Sequence, residues 1–207
     1  MSDPDGDRWD DNDILDALNE ALILVVDNAP SVNMRLVELA LITNTHKQFL
    51  PDNIARIREF SHTILVADDG TESVGGECTR VDIDDLGVEG VGWRSEDSDG
   101  TVVHYLFTDA TDREFFVYPA QPSQSFNNRL VGTMAVYPAE VTNLTEGSVD
   151  MHRRYKTPVA DIVASRLLND EPDPDARARA QEHMDRGYQA LGIKLQVDAI
   201  SVQGNES

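Results

Sequence analysis

This sequence is short of the residues that most often carry chemistry or staple a fold. It has one cysteine, Cys78, and three lysines, Lys47, Lys156 and Lys194. A lone cysteine makes neither an internal disulfide nor a thiolate metal site, so Cys78 is expected to be a small packing residue. No apolar run approaches the roughly 20 residues that a membrane-spanning helix requires. The acidic start Asp3, Asp5, Asp7 is the opposite of a secretory leader, so the chain is expected to stay in solution inside the cell. There is no Gly-Lys-Ser/Thr phosphate loop, no His-Glu-x-x-His and no Gly-x-Ser-x-Gly elbow. A basic stripe, the usual footprint of a duplex-binding protein, is missing as well, and the chain should repel DNA.

What the sequence has in excess is carboxylate. Asp and Glu number 38 against 17 Lys and Arg, a formal charge of −21 over 207 residues, with 25 Asp to 13 Glu. In dilute buffer that charge pushes the compact state apart. At about 1 M salt the screening length falls to roughly 3 Å and the repulsion nearly vanishes, while short hydrated carboxylates keep the surface wet. The composition is that of a protein built for water containing molar salt. With 40% hydrophobic residues the chain is not a disordered acidic segment, and its length suits one core and one domain.

Residues 1–11 read as a flexible acidic arm with Trp9 as its bulky apolar group. From about Asn12, Ile14, Leu15, Leu18, Ala21, Leu22, Val25 and Val26 recur at helical spacing, with Asp13 and Asp16 near the positive end. Val32 to Ile42 suits a strand, and His46 to Leu50 is expected to pair back on it as a hairpin around Asn44. Residues 53–67 fit either type: Ile54, Ile57 and Phe60 have helical spacing, Thr63 to Ala67 suit a strand. Turn formers break residues 68–100 into short pieces, read as a surface excursion. Val102 to Phe107, Glu114 to Tyr118 and Leu130 to Tyr137 read as antiparallel strands. Thr157 as cap with Pro158 at the first helical position, and Asp173-Pro174, open two further helices, and Gly192 closes the second. The end alternates at Ile193, Leu195 and Val197, then carries Ile200 and Val202. The expected fold is α+β, its terminal helices packed as a small bundle beside a small antiparallel sheet.

Candidate chemistry is sparse. Gly87-Val-Glu-Gly90-Val-Gly92 reverses the dinucleotide spacing and opens no helix. The Asp97-Ser-Asp99-Gly100 run lacks the calcium-loop ligands at Ser95 and Leu106 and reads as a turn. Asp82, Asp84 and Asp85, and the pair Asp109 and Asp112, could supply paired carboxylates, but in a chain this acidic they read as a solvated face. His46, His62, His104, His152 and His183 fall singly, without ligand spacing. Asn143-Leu-Thr145 and Asn205-Glu-Ser207 match the glycosylation sequon, which carries little meaning without a secretory leader. No catalytic, cofactor-binding or metal-ligating residue is assigned.

The order of features resembles the head-to-tail adaptors of tailed double-stranded DNA viruses, of the tail-tubular-A type. The resemblance is carried by Leu15-Asp-Ala-Leu18-Asn19-Glu20-Ala21 ending near Asn28-Ala-Pro30, by Phe49-Leu50-Pro51-Asp52, Arg80-Val81-Asp82 and Trp93-Arg94. His104-Tyr105-Leu106-Phe107 before Asp109, Phe115-Phe-Val117-Tyr118-Pro119 and Tyr137-Pro138-Ala139-Glu140 continue it. Asp161-Ile-Val163-Ala-Ser-Arg166 and Tyr188-Gln-Ala-Leu191-Gly192 look like the closing helices. It covers roughly residues 12–192 as one adaptor domain and rests on order and spacing, each motif being a short apolar phrase. The acidic stretch 68–99 and the tail beyond Gly192 depart from the pattern.

The resemblance implies a virion structural protein without enzymatic activity or cofactor, assembled in the host cytoplasm and placed in the neck of the particle. Its partners would be the portal protein, further copies of itself in a dodecameric ring and the next tail or neck protein; the genome would pass through without specific binding. Composition adds a halophilic archaeal host. Ile193, Leu195, Val197, Ile200 and Val202 are the expected partner contact, the alternative being that this segment completes its own domain's sheet. Two other function classes remain: a halophile's metal-dependent enzyme using Asp82, Asp84 and Asp85, and a cytosolic small-molecule-binding module.

Overall fold

The computed structural model describes residues 8–82, 100–107, 113–122, 127–146 and 148–193. The chain has the α+β composition expected from its sequence, and it divides into a helical unit formed by residues 1–29 and 138–207 and a β unit formed by residues 30–137.

In the helical unit, α1 spans Asp11–Asn28. Asp10 caps it, its side chain accepting from the amides of Asn12 and Asp13 while Asp13 reaches back to the Asp10 amide. This reciprocal box satisfies first-turn N–H groups and places carboxylates at the positive end of the helix dipole. Helix α2 (Lys156–Asn169) does not begin at a Thr157 cap. A 3₁₀ turn over Arg153–Tyr155, capped by the His152 ring on the Arg154 amide, feeds into it. Pro158 therefore falls at the third helical position, where its missing N–H is still one of the unpaired four. Helix α3 (Pro174–Ala190) starts as expected, with Asp173 accepting from the Asp175 amide and Pro174 in the first position. It closes at Gly192 (φ +74°), with Gly192 N–H donating to Gln189 O and Ile193 N–H to Tyr188 O. That pair of bonds is a Schellman closure, which requires the left-handed backbone glycine allows.

Small residues bring α2 and α3 together. A Cβ on Gly187 would lie 2.9 Å from Ile162 Cγ1 and 3.1 Å from Pro158 O, so the end of α3 lies on the first turn of α2. At the other end Leu168, Ala176 and Ala180 are buried together, with Trp9 packed against them.

The β unit holds two four-stranded sheets, where one small sheet was expected. The first has the order β1 (Met34–Ala40), β8 (Arg129–Val136), β3 (Ile54–Val66), β4 (Glu72–Glu77), all antiparallel. The second has the order β2 (Lys47–Phe49), β7 (Glu114–Tyr118), β6 (His104–Phe107), β5 (Thr79–Arg80), with β5 and β6 parallel. The expected 32–50 hairpin does not form: β1 pairs with β8, and β2 with β7. Asn44, at φ +57°, turns the chain from one sheet to the other. Gln48 then does locally what a strand partner would have done. Its amide accepts from Ile42 N–H at 2.7 Å and donates to Ile42 O at 3.0 Å. Part of the 68–100 stretch is regular, since β4 and β5 lie in it; residues 83–99 lie outside the described residues.

The ambiguity at 53–67 resolves as one strand. Its register against β8 shifts between Ile54 and Arg56, between Ile57 and Glu59, and between Phe60 and His62. Each bulge adds a residue to β3, so Ile54, Phe60 and Thr63 are buried and Ile57 packs against the core at a spacing of three. A bulged strand thus imitates a helical stripe. Phe60 meets Tyr105 edge-on at 4.9 Å and Phe115 at 5.0 Å, joining β3 of one sheet to β6 and β7 of the other. Gly132 on β8 leaves room for the Phe60 ring, which a Cβ there would approach to 2.7 Å.

Gln48 is 1% exposed, and replacing it removes its part-buried hydrogen bonds to Ile42 and the longer one to Thr45 O. Gln48→Leu should lower the unfolding free energy by about 2–3 kcal/mol, because the Ile42 amide and carbonyl lose their partner. Urea denaturation followed by circular dichroism measures this; a loss below about 0.5 kcal/mol would mean water replaces the side chain without penalty.

Candidate functional site

The helical unit carries an apolar groove with the shape of a site and a volume of about 680 Å³. Its floor comes from α1 through Ile14 and Leu18 and from α2 through Val159, Val163 and Leu167. Val159 is buried; the others are the flanks of the two apolar stripes, left half-buried after α1 turns Ala21, Leu22 and Val25 inward and α2 turns Ile162 and Leu168 inward. Trp9 closes one side and the segment Val149–Lys156 the other.

The approach of that segment to the helices follows from one reciprocal pair. Asn19 on α1 donates to Val141 O at 3.0 Å and accepts from Val141 N–H at 2.8 Å, holding the incoming chain to the helix. Asn143 then forms a turn, its side-chain oxygen accepting from the Thr145 amide and hydroxyl. The sequon there is a turn signal.

The electrostatics of the groove oppose those of the chain. Arg153 and Lys156 line it and no Asp or Glu does among the described residues. Arg154, next to them, sits 4.6 Å over the Tyr155 ring. Beyond Trp9 lies a polar cleft of about 590 Å³, where Asp13, Asp16, Glu20 and Glu171 gather with Arg8 and Arg166. Arg8 is paired with Glu171, and Arg166 with Glu20, so cross-element ion pairs occupy this cleft.

The residues singled out from sequence scatter. Of the expected partner contact, Ile193 is half-buried at the end of α3; Leu195, Val197, Ile200 and Val202 lie outside the described residues. Asp82 is exposed, while Asp84, Asp85, Asp109 and Asp112 lie outside the description, as does the 87–92 glycine run. Among the described residues no three His, Cys, Asp or Glu side chains gather as a metal site. The histidines stand apart: His46 bonds Val117 O, His104 bonds the Thr79 hydroxyl and stacks on Tyr118, and His183 bonds Asp161 at 2.8 Å. No helix among the described residues is long and apolar enough to cross a membrane. The groove itself was not anticipated. Its signal was present in the width of the α1 stripe, where Ile14 and Leu18 have no partner in sequence.

Cys78 sits in the core of the β unit, donating to Val102 O at 3.1 Å, and burial pushes its thiol above the ordinary range. Thiolate is the reactive form, so the folded chain should resist a disulfide reagent near the usual thiol pKa and react once denatured. Fast labelling of the native protein would contradict this placement.

No protein-family model matches this chain, and no curated protein matches it.

Proposed function

We propose that the protein is a head-to-tail adaptor of a tailed double-stranded DNA virus with a halophilic archaeal host, a structural component of the virion neck without enzymatic activity. The observation that carries this reading is the groove: an open, predominantly apolar surface on paired helices, rimmed by cations in a chain of charge −21. A surface of this kind recognises another protein. The order of motifs along the chain supports the same reading. A ring of such chains presents carboxylates to a passing genome, and phosphates slide past an acidic wall. Portal, neighbouring copies and the next neck protein are the partners.

The mass of the protein in about 2 M salt, alone and with a portal ring, tests the proposal. A multi-copy ring or a portal-bound complex supports it; a single chain that ignores the portal overturns it. The salt component has its own test. Between about 0.1 and 2 M KCl the urea midpoint should rise, as screening removes self-repulsion. A flat or falling midpoint would remove the halophilic host from the proposal.

One observation favours a second reading. The groove's volume lies within the roughly 300–1,000 Å³ of small-molecule pockets. A small-molecule-binding module would be a monomer or dimer at every salt concentration and would bind an apolar dye such as ANS saturably.

A further inference from the structure

We propose that the apolar groove of the helical unit is the seat of the C-terminal segment, residues 193–207, of a second copy of the chain. The inference rests on the adaptor reading, to which it gives an interface.

Three observations lead to it. The first is unmet apolar surface: Ile14, Leu18 and Val163, each only half-buried, line a groove that no described residue of the unit fills. The segment following Gly192 carries Leu195, Val197, Ile200 and Val202. Burying four such side chains takes a large apolar area out of water, which favours association.

The second is reach. Fourteen residues follow Ile193, and an extended chain covers roughly 3.3 Å per residue, about 46 Å in all. The α2 wall of the groove, from Lys156 to Leu167, runs for only about 17 Å at 1.5 Å per residue. The segment is long enough to cross to a neighbour and still lie along the whole groove.

The third is charge. The segment bears Asp198 and Glu206 against Lys194. The chain as a whole carries a charge of −21 and repels it, whereas Arg153 and Lys156 offer two counter-charges at a groove that no Asp or Glu lines among the described residues. Matching potentials fix register and suppress wrong partners more than they add affinity.

A groove and a complementary segment carried by the same chain make a heterologous contact. Each copy gives one segment and receives another, and such a contact closes into a ring when the rotation between copies allows.

The test uses two full-length variants. Ala160→Glu with Val149→Glu blocks the groove at two exposed lining positions, where folding should tolerate the change. Leu195→Asp with Val197→Asp and Ile200→Asp disables the segment. Circular dichroism confirms that both fold, and light scattering in about 2 M salt gives their masses. Wild type is expected to form multi-copy assemblies and each variant alone a single chain. Their equimolar mixture is expected to form a two-chain complex, because one intact segment and one intact groove remain. If wild type assembles but the mixture stays at single-chain mass, or if either variant assembles alone, the groove contact is overturned and the ring reading stands. If wild type stays a single chain yet binds the portal, the second-copy contact is overturned while the adaptor reading survives. A single chain that also ignores the portal removes both.

Discussion

The structure depends on uncharged side-chain amides that stand in for missing backbone partners. Among the described residues, four of the six buried polar ones are Asn33, Gln48, Gln121 and Asn128. Gln48 pairs with both polar groups of Ile42 where a hairpin is abandoned. Asn33 donates to Val136 O, tying the entry of β1 to the end of β8. Asn128 accepts from Val66 N–H and donates to Gln121, whose own amide donates to Gly100 O. Asn19 makes the equivalent clamp between α1 and Val141. Each clamp sits where the chain leaves regular structure, where an unpaired buried amide or carbonyl costs most. A neutral amide meets that need without a buried charge, and its short hydrogen bonds are indifferent to ionic strength.

Charge is kept to the periphery and works there mainly through arginine, beside the pair of Lys47 with Glu114. Arg129 on β8 reaches Glu38 on β1 and Glu72 on β4, spanning the first sheet, and the Glu72 hydrogen bond holds its guanidinium further into the charged range. Arg113 bonds the carbonyls of Leu50, Pro51 and Ile54 as well as Asp52, closing the turn between β2 and β3. A planar fork that binds several acceptors at once keeps much of its value when long-range attraction is screened, and an ammonium group cannot bind in that way. The scarcity of lysine is consistent with that use.

Legibility in the sequence followed the range of the governing interaction. Helix ends at Asp10, Asp173 and Gly192 are set by neighbours within a few residues, and each carries a local signal. Strands β6, β7 and β8 showed as apolar runs. What failed was pairing. Nothing in residues 32–50 says that Gln48 will replace a strand, because its partner, Ile42, is a backbone and not a side-chain pattern. Nor does the spacing of Ile54, Ile57 and Phe60 distinguish a helix from a strand with three bulges, since both give a period near three. The Thr157 cap was displaced by a 3₁₀ turn whose capping group, His152, is not a residue usually read as a helix start. The groove required three segments far apart in sequence to meet, so only its pieces were visible as apolar positions on α1 and α2.

The same division of labour bears on how the groove would work in brine. Salt strengthens apolar burial and screens ionic attraction beyond a few ångströms. Affinity for a partner segment would then come from Ile14, Leu18 and Val163, and would be retained at high salt. Arg153 and Lys156 would act only at contact distance, selecting the register in which a carboxylate stands beside them and leaving the remaining acidic surface to reject other approaches. In dilute solution those roles change: self-repulsion among chains of charge −21 grows and apolar drive weakens, so copies should separate even where each groove stays intact.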